Sequence, residues 1–337
     1  MPYLCGLFSD VNFKQNLISL NRVTTPNFSD IEEAAARIKP YANRTPVLTS
    51  RSLNEMVGGE LYFKCENFQR AGAFKFRGAC NAVFSLPDGD AQKGVATHSS
   101  GNHGQALALA ARMRGIPAHI VMPENSPKIK IAAVKGYGAS VTLCESNQKA
   151  REETLQKVVD QTGSTFIHPY DNERVIAGQG TAAIELLDEI PNLDFILAPV
   201  GGGGLMSGTS IAARHMKPGI TIMGTEPEMA NDAYLSLKLG ERQFPDTTKT
   251  VADGLRTTLS ERTFTIIRSH ADGIVTVSEE SIIRAMRLIW ERMNIIIETS
   301  CAVPFAAILE KKVDISGKKA GIILTGGNVD LDSLPWQ

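Results

Sequence analysis

The stretch that decides the fold is APVGGGGLMSG, which runs from Ala198 to Gly208. Its four consecutive glycines follow an apolar run typical of a buried strand and precede a run with helical spacing. Glycine lets the backbone approach a bulky anion, and a helix that begins there adds amide donors and a favourable dipole. The stretch predicts a phosphate-binding turn, and it is not a Walker loop because Thr209 stands where lysine is required. A flexible turn without a ligand is the alternative, disfavoured because four glycines cost considerable chain entropy.

The alternation of strands and helices continues on both sides of this turn. Apolar, β-branched runs such as ELYFKCE (60–66) and AHIVM (118–122) alternate with helix-period runs such as NHGQALALAARMRG (102–115). This pattern predicts an α/β fold with parallel-rich, twisted sheets covered by helices. Regular structure is expected to begin near Ser29, which has the spacing of a capping box with Glu32. Residues 1–28 are expected to form an N-terminal extension.

The composition favours a soluble protein that works on small molecules. Across 337 residues, 35 Lys and Arg nearly balance 36 Asp and Glu, and no basic stripe favours nucleic acid or an anionic membrane. The longest apolar runs are far below the ~20 residues of a membrane span, and the start lacks a secretion-signal pattern. The five cysteines are scattered, which favours free thiols and a cytoplasmic location over disulfides or a zinc site.

A second glycine pattern raises the possibility of a dinucleotide site. The segment GQGTAA (178–183) matches the Gly-x-Gly-x-x-Ala variant of the nicotinamide fingerprint. Ten residues separate it from the preceding apolar run, whereas the fingerprint occupies the tight turn directly after a strand. Helix packing is the better explanation of these glycines, and an NAD-dependent oxidoreductase is a remote alternative.

Polar side chains follow two of the predicted strands. The segment THSSGNHGQ (97–105) carries Ser99, Ser100, Asn102 and His103, which is more than an N-cap needs, so a ligand site is favoured over ordinary capping. The segment ILTGGNVD ends an apolar strand with Thr325. Because open α/β sheets bind ligands at the carboxyl ends of their strands, we expect both segments to face a site.

An acidic segment, TEPEMANDAY (225–234), follows another predicted strand. Glu226, Glu228 and Asp232, with the carbonyls between them, are ligands of the kind that Mg²⁺ or Ca²⁺ prefers. A solvated acidic loop explains the sequence equally well.

In this order the segments resemble the fold-type II pyridoxal-phosphate (PLP) enzymes, and more narrowly the serine racemase and serine/threonine dehydratase family. The resemblance covers roughly Ile31 to Asp330. It implies a two-domain fold like that of the tryptophan synthase β subunit, and a homodimer. The large PLP-binding domain would comprise residues 29–93 and 172–337, and the small substrate-gripping domain residues 94–171.

The resemblance also implies which residues hold the cofactor. Lys75 in GAFKFRG would bond covalently to the PLP aldehyde, a role that suits an amine whose pKa falls readily on desolvation. Phe74 would pack against the ring, Asn102 would bind the ring hydroxyl, and Thr325 would face the pyridine nitrogen. The neutral Thr325 hydroxyl would not enforce ring protonation. The phosphate would be held by Gly201, Gly202, Gly203, Gly204 and Leu205.

Further residues are assigned to substrate and metal by the same resemblance. The substrate contacts would be Ser99, Ser100, Asn102, His103, Arg151 and Thr257. Ser100 would return a proton to the face opposite Lys75, which racemisation requires and elimination does not. A divalent cation, Mg²⁺ with Ca²⁺ or Mn²⁺ as alternatives, would bind Glu226, the Ala230 carbonyl and Asp232.

The implied activity is β-elimination of L-serine or L-threonine to a 2-keto acid and ammonia, with serine racemase activity beside it. The alternative is a 3-hydroxyaspartate ammonia-lyase, because Arg151 could serve a second carboxylate. The chain departs from the family pattern at Ala73, where serine or threonine is common. It departs again after Glu298, where proline, threonine and glycine are replaced by Thr299, Ser300 and Cys301.

Overall fold

The computed structural model describes residues 24–99, 101–126, 128–245 and 247–336. The strands are β1 (Val47–Leu48), β2 (Glu60–Cys65), β3 (Val95–His98), β4 (Ala118–Pro123), β5 (Ser140–Cys144), β6 (Thr165–Phe166), β7 (Phe195–Pro199), β8 (Thr221–Pro227), β9 (Gly273–Val277) and β10 (Lys319–Leu324). The helices are α1 (Phe28–Ile38), α2 (Arg51–Val57), α3 (Lys75–Phe84), α4 (Asp88–Ala91), α5 (Asn102–Arg114), α6 (Lys128–Gly136), α7 (Gln148–Thr162), α8 (Glu173–Glu189), α9 (Gly204–Met216), α10 (Asp232–Leu239), α11 (Glu261–His270), α12 (Glu279–Met293) and α13 (Thr299–Leu309). In this part of the chain no helix is long and apolar enough to cross a membrane.

The larger sheet has six strands in the order β1–β2–β10–β7–β8–β9. β1 is antiparallel to β2, and the other neighbouring strands are parallel. The central strand β10 is covered on both faces: Ile322 packs with α12 and α13, whereas Ile323 packs with α8, α9 and α11. A parallel strand covered on both faces needs a continuous apolar run, which this segment supplies. The predicted α/β fold with parallel-rich sheets is confirmed.

The smaller sheet has four parallel strands in the order β5–β4–β3–β6. It is formed by chain that lies between β2 and β7 of the larger sheet, and its own apolar cluster includes residues of α3 and α5. In each sheet, the turns that follow the carboxyl ends of the parallel strands therefore lie along one edge of the sheet. The bounds of the two domains stay a prediction.

The first described helix has a different cap from the one expected. Asn27 is the N-cap of α1: its side chain accepts a hydrogen bond from Ser29 N at 2.8 Å, and the Asp30 carboxylate accepts one from Asn27 N at 2.7 Å. The expected capping box of Ser29 and Glu32 is therefore wrong, because the asparagine that precedes the helix satisfies the first free amides. Residues 1–23 of the predicted N-terminal extension lie outside the described residues.

The segment GQGTAA lies inside α8 and not in a turn after a strand. A Cβ on Gly178 would lie 2.6 Å from the Arg77 carbonyl oxygen, and one on Gly180 would lie 2.8 Å from the Gly208 carbonyl oxygen. These glycines let α8 approach α3 and α9 closely, which confirms the helix-packing explanation. The dinucleotide fingerprint consequently lacks the turn that it requires.

Candidate active site

A cavity of about 270 Å³ lies where the two sheets meet. It is lined by most of the residues that the sequence assigned to cofactor and substrate. These are Phe74, Lys75, Ser99, Asn102, His103, Arg151, Gly201, Gly202, Gly203, Gly204, Leu205, Thr257 and Thr325. Ser100 lies outside the described residues. Glu226, Ala230 and Asp232 do not line this cavity.

Lys75 is the first residue of α3, and its side chain is half-buried in the cavity wall. The start of the helix is tied to the end of β10 because Phe74 N donates to the Thr325 carbonyl at 2.9 Å. Lys75 Nζ donates to the Pro169 carbonyl at 3.0 Å and lies 5.1 Å from the centre of the Phe74 ring. Burial lowers the pKa of the Lys75 amine from 10.5 to about 8, against the opposing effect of Glu298. A larger uncharged fraction than that of an ordinary lysine is therefore available near neutral pH.

The glycine turn presents backbone amides to the cavity at the start of α9. Gly203 is the N-cap with φ +83°, a conformation that favours glycine, and a Cβ on Gly202 would lie 2.3 Å from the Tyr170 ring. The first helical hydrogen bond runs from Ser207 N to the Gly203 carbonyl at 2.8 Å, so the amides before Ser207 have no intrahelical acceptor. Free amides and the helix dipole make this turn suitable for a phosphate group.

Asn102 is held by two residues that come from far along the chain. Its Nδ2 donates to both carboxylate oxygens of Glu298 at 3.0 Å, and its Oδ1 accepts a hydrogen bond from Asn328 Nδ2 at 2.9 Å. Burial, and then the nearby Asp253 carboxylate, raise the pKa of Glu298 from 4.5 to about 7. The resemblance identified Glu298 as a retained residue of a segment near the substrate but gave it no role.

The turn before α5 contains a serine that caps the helix and a buried histidine. Ser99 Oγ accepts hydrogen bonds from Gly101 N at 3.3 Å and Gly104 N at 3.1 Å, so this side chain caps the helix, as ordinary N-capping would have it. His103 Nε2 lies 3.2 Å from the Ile167 carbonyl, and its Nδ1 is buried without a partner in the described part of the chain. Burial lowers the pKa of the ring well below 6.5. The ring is neutral, so an anion here would be bound by the free backbone amides of the first turn.

Cationic side chains stand on the side of the cavity formed by the smaller sheet. Arg151 is half-buried on α7, and its Nε is buried and has no hydrogen-bond partner among the described residues. Lys130 Nζ of α6 lies 3.3 Å from Asp253 Oδ2, an ion pair that connects the two sides of the cavity. Thr257 lies beside the glycine turn, where its Oγ1 would be 3.2 Å from a Cβ on Gly201.

Several lining residues were missed from the sequence. His98, His168, Pro169 and Tyr170 belong to or follow strands β3 and β6. His168 Nδ1 accepts hydrogen bonds from Tyr170 N and Asp171 N, and burial lowers the pKa of the ring to about 4, so it is neutral. The available signal was their position just after an apolar run in a parallel sheet, where ligand-binding loops start.

The predicted cation ligands lie at the end of β8, apart from this cavity. Glu226 accepts hydrogen bonds from Ala233 N at 3.2 Å and Tyr234 N at 2.8 Å, and Asp232 accepts one from Leu259 N at 2.8 Å. Burial raises the pKa of both carboxyls, that of Asp232 to about 6. Among the described residues, no cluster of three or more Asp, Glu, His or Cys side chains could hold a metal ion.

Comparison with known proteins explains why these features occur together. The sequence profile described as "Pyridoxal-phosphate dependent enzyme" matches residues 38–326. The chain belongs to this family. A serine racemase of Dictyostelium discoideum is 51% identical over 318 residues, which cover 93% of this chain and 98% of the relative. A beta-hydroxyaspartate dehydratase of Paracoccus denitrificans is 50% identical over 312 residues, covering 93% and 99% of the two chains.

A solved structure shows the same architecture. The crystal structure of the Dictyostelium discoideum serine racemase superposes with a TM-score of 0.88 and covers 91% of this chain and 100% of its own. The chain is therefore an enzyme of the PLP-dependent family, as the sequence predicted. The residues present fit the cofactor: a lysine with a lowered pKa, a glycine turn in which a Cβ would collide with Tyr170, and free amides at the start of α9.

Proposed function

We propose that this chain is a PLP-dependent ammonia-lyase that converts L-serine or L-threonine to a 2-keto acid and ammonia and also racemises serine. The observation that carries the proposal is the position of Lys75 Nζ, whose pKa is lowered to about 8, in a cavity that is also lined by the N-termini of two helices. One N-terminus, at α9, would hold the phosphate, and the other, at α5, the substrate carboxylate. The similarity to a serine racemase supports the same function.

In the proposed reaction, different residues of the site bind the substrate, orient the cofactor and transfer the proton. Bound PLP supplies the electron sink that acidifies the α-proton of an amino acid joined to it. The amides at the start of α5 orient the substrate carboxylate, and Lys75 Nζ accepts the α-proton from one face. Glu298 and Asn328 fix the orientation of the Asn102 side chain, which by resemblance would bind the cofactor hydroxyl. Ser100, by resemblance, acts from the opposite face.

A substitution at Ser100 tests the two-face assignment. Ser100→Ala is expected to abolish interconversion of L- and D-serine and to leave formation of pyruvate from L-serine largely intact, because elimination needs only Lys75. The measurements are chiral separation of serine and quantification of keto acid, and Lys75→Ala is the control that should lose both activities. Equal loss of both activities in Ser100→Ala would overturn the assigned roles.

A 3-hydroxyaspartate ammonia-lyase is the second candidate function. It is favoured by Lys130 and by the buried Nε of Arg151, which has no partner within the described ranges, because a second carboxylate needs a second cationic partner. The similarity to a beta-hydroxyaspartate dehydratase supports it as well. The test compares kcat/KM for L-serine, L-threonine and L-threo-3-hydroxyaspartate in the native enzyme and in Arg151→Met. A dicarboxylate enzyme should prefer the third substrate and lose that preference in the variant.

We also propose a divalent-cation site at Glu226, Asp232 and the Ala230 carbonyl. Both carboxyls are almost fully buried, neither forms an ion pair within the described part of the chain, and their raised pKa values are the consequence. A bound Mg²⁺ would compensate their charges, with backbone carbonyls and water completing its shell. Chelation should lower the thermal midpoint of the native enzyme and leave that of Glu226→Gln unchanged.

A cytoplasmic homodimer is the proposed state of the protein. The four cysteines in the described ranges are free and buried, as a reducing compartment allows. Phe68 and Ile296 are 46% and 47% exposed, and their two segments are joined by the hydrogen bond that Asn67 Nδ2 donates to the Ile296 carbonyl at 3.1 Å. These apolar side chains support a subunit contact. Light scattering of Phe68→Ser and Ile296→Ser variants tests it, and a native monomer would exclude it.

A further inference from the structure

A buried thiol lies directly behind one of the proposed cofactor residues. Cys301, in the first turn of α13, is fully buried, and its Sγ lies 3.2 Å from Thr325 Oγ1. The same sulfur lies 2.9 Å from Gly326 N and 2.8 Å from the Gly326 carbonyl oxygen. Thr325 lines the cavity and Cys301 does not. The Cys301 sulfur therefore contacts the lining of the cavity through Thr325 Oγ1.

The hydrogen atoms of this cluster can be assigned by counting donors. Burial raises the pKa of Cys301, so the sulfur carries one proton and can donate once. The sulfur accepts the amide hydrogen of Gly326, and the Gly326 carbonyl, at 2.8 Å, is closer to it than the Thr325 hydroxyl at 3.2 Å. The thiol proton is thus directed to the carbonyl. The Thr325 hydroxyl must then donate to the sulfur, because two lone pairs at that distance would repel each other.

We propose that Cys301 is a positioning residue that turns the Thr325 hydroxyl hydrogen away from the cavity and leaves only oxygen lone pairs facing it. Within the described residues, Cys301 is the hydrogen-bond partner of Thr325 Oγ1, so nothing else in that range sets this orientation. A group held against Thr325 must then supply the hydrogen itself. This step rests on the proposed function, in which Thr325 faces the pyridine nitrogen of PLP; the site then favours the protonated form of that ring.

Cys301 alters the expected effect of Thr325 on the protonation of the ring nitrogen. A free hydroxyl can either donate or accept, and it leaves the ring nitrogen unprotonated as readily as protonated. Where the family pattern has glycine after its glutamate, proline and threonine, this chain has Cys301, whose sulfur accepts the hydrogen bond of the Thr325 hydroxyl. The chain thereby favours a stronger electron sink than a free threonine would, without placing a carboxylate at the nitrogen.

Infrared spectroscopy of the thiol tests the first step. The S–H stretching band of Cys301 is isolated as the difference between native holoenzyme and Cys301→Ala, and it is then measured in Thr325→Val. We expect the band to stay at the low frequency of a hydrogen-bonded thiol in Thr325→Val, because the Gly326 carbonyl receives the proton. A move to the frequency of a free thiol would show that the proton goes to Thr325, and it would overturn the proposal.

Nitrogen NMR of the holoenzyme reconstituted with ¹⁵N-labelled PLP tests the second step. In Cys301→Ala the Thr325 hydroxyl is free to donate into the cavity, so the ring resonance should move toward the position of the unprotonated ring. Cys301→Ser keeps an acceptor for that hydroxyl and should keep the native resonance, which a purely structural role for Cys301 would not predict. Identical resonances in all three proteins, or an alanine-like resonance in the serine variant, would refute the proposal.

Discussion

Replacement of Glu298 by glutamine should remove the pH dependence that this buried carboxyl imposes on stability. The side chain is 8% exposed, and its pKa rises from 4.5 to about 7 on folding, chiefly because of burial. Because each pKa unit corresponds to about 1.4 kcal/mol, the ionised carboxylate costs the native state about 3 kcal/mol. The native state binds more protons than the unfolded chain between these two values. The free energy of unfolding therefore decreases as the pH rises from about 4.5 to about 7, and the decrease is complete above about pH 7.

Urea unfolding of the cofactor-free protein at pH 5 and pH 8 measures this contribution. Glu298→Gln removes the titration but keeps an oxygen that can accept the Asn102 hydrogen bond. The free energy of unfolding of the variant relative to native should increase by about 2–3 kcal/mol between the two pH values. Glu228→Gln, at an exposed carboxylate, is the matched control and should show no such change. Parallel pH dependences of native and Glu298→Gln would refute the assigned desolvation.

Three further substitutions test the framework around the site. Arg77→Met should lower the free energy of unfolding in urea by about 3–5 kcal/mol. In the native chain the fully buried Glu66 carboxylate lies 2.7 Å from Arg77 Nε, and the substitution removes this counter-ion. Gly202→Ala should weaken PLP binding in absorbance titrations and cost about 1–3 kcal/mol, because the new Cβ must displace the Tyr170 ring. Ala71→Gly should raise the free energy of unfolding by about 0.5–1 kcal/mol, because Ala71 has φ 56°.

Controls separate these effects from nonspecific damage. Adding Glu66→Gln to Arg77→Met should recover part of the loss, since no uncompensated carboxylate remains; a further loss would contradict the charge argument. Gly219→Ala, where a Cβ meets nothing within 4 Å, should leave cofactor affinity and stability unchanged. Ala73→Gly, at an extended residue with φ −160°, should destabilise, and a matching gain there would show that the Ala71 effect is not conformational.

The sequence by itself determined the features that are contiguous along the chain. The alternation of apolar runs and helix-period runs predicted the parallel sheets, because each strand and helix carries its own periodicity. The glycine turn at 201–204 and the polar turn at 97–105 were recognisable because the residues of each lie side by side in the sequence and follow a strand. Even so, the cap of α1 was misplaced by two residues, since neighbouring side chains compete for the same free amides.

Only the tertiary structure decided which separate segments meet and how their hydrogen atoms and charges are arranged. Asn102 and Glu298 are 196 residues apart, and Cys301 reaches Thr325 only because α13 packs beside the end of β10. The lowered pKa of Lys75 likewise depends on burial by the loop that carries Pro169. Desolvation and hydrogen-bond direction depend on distances in space, which residue order along the chain does not specify.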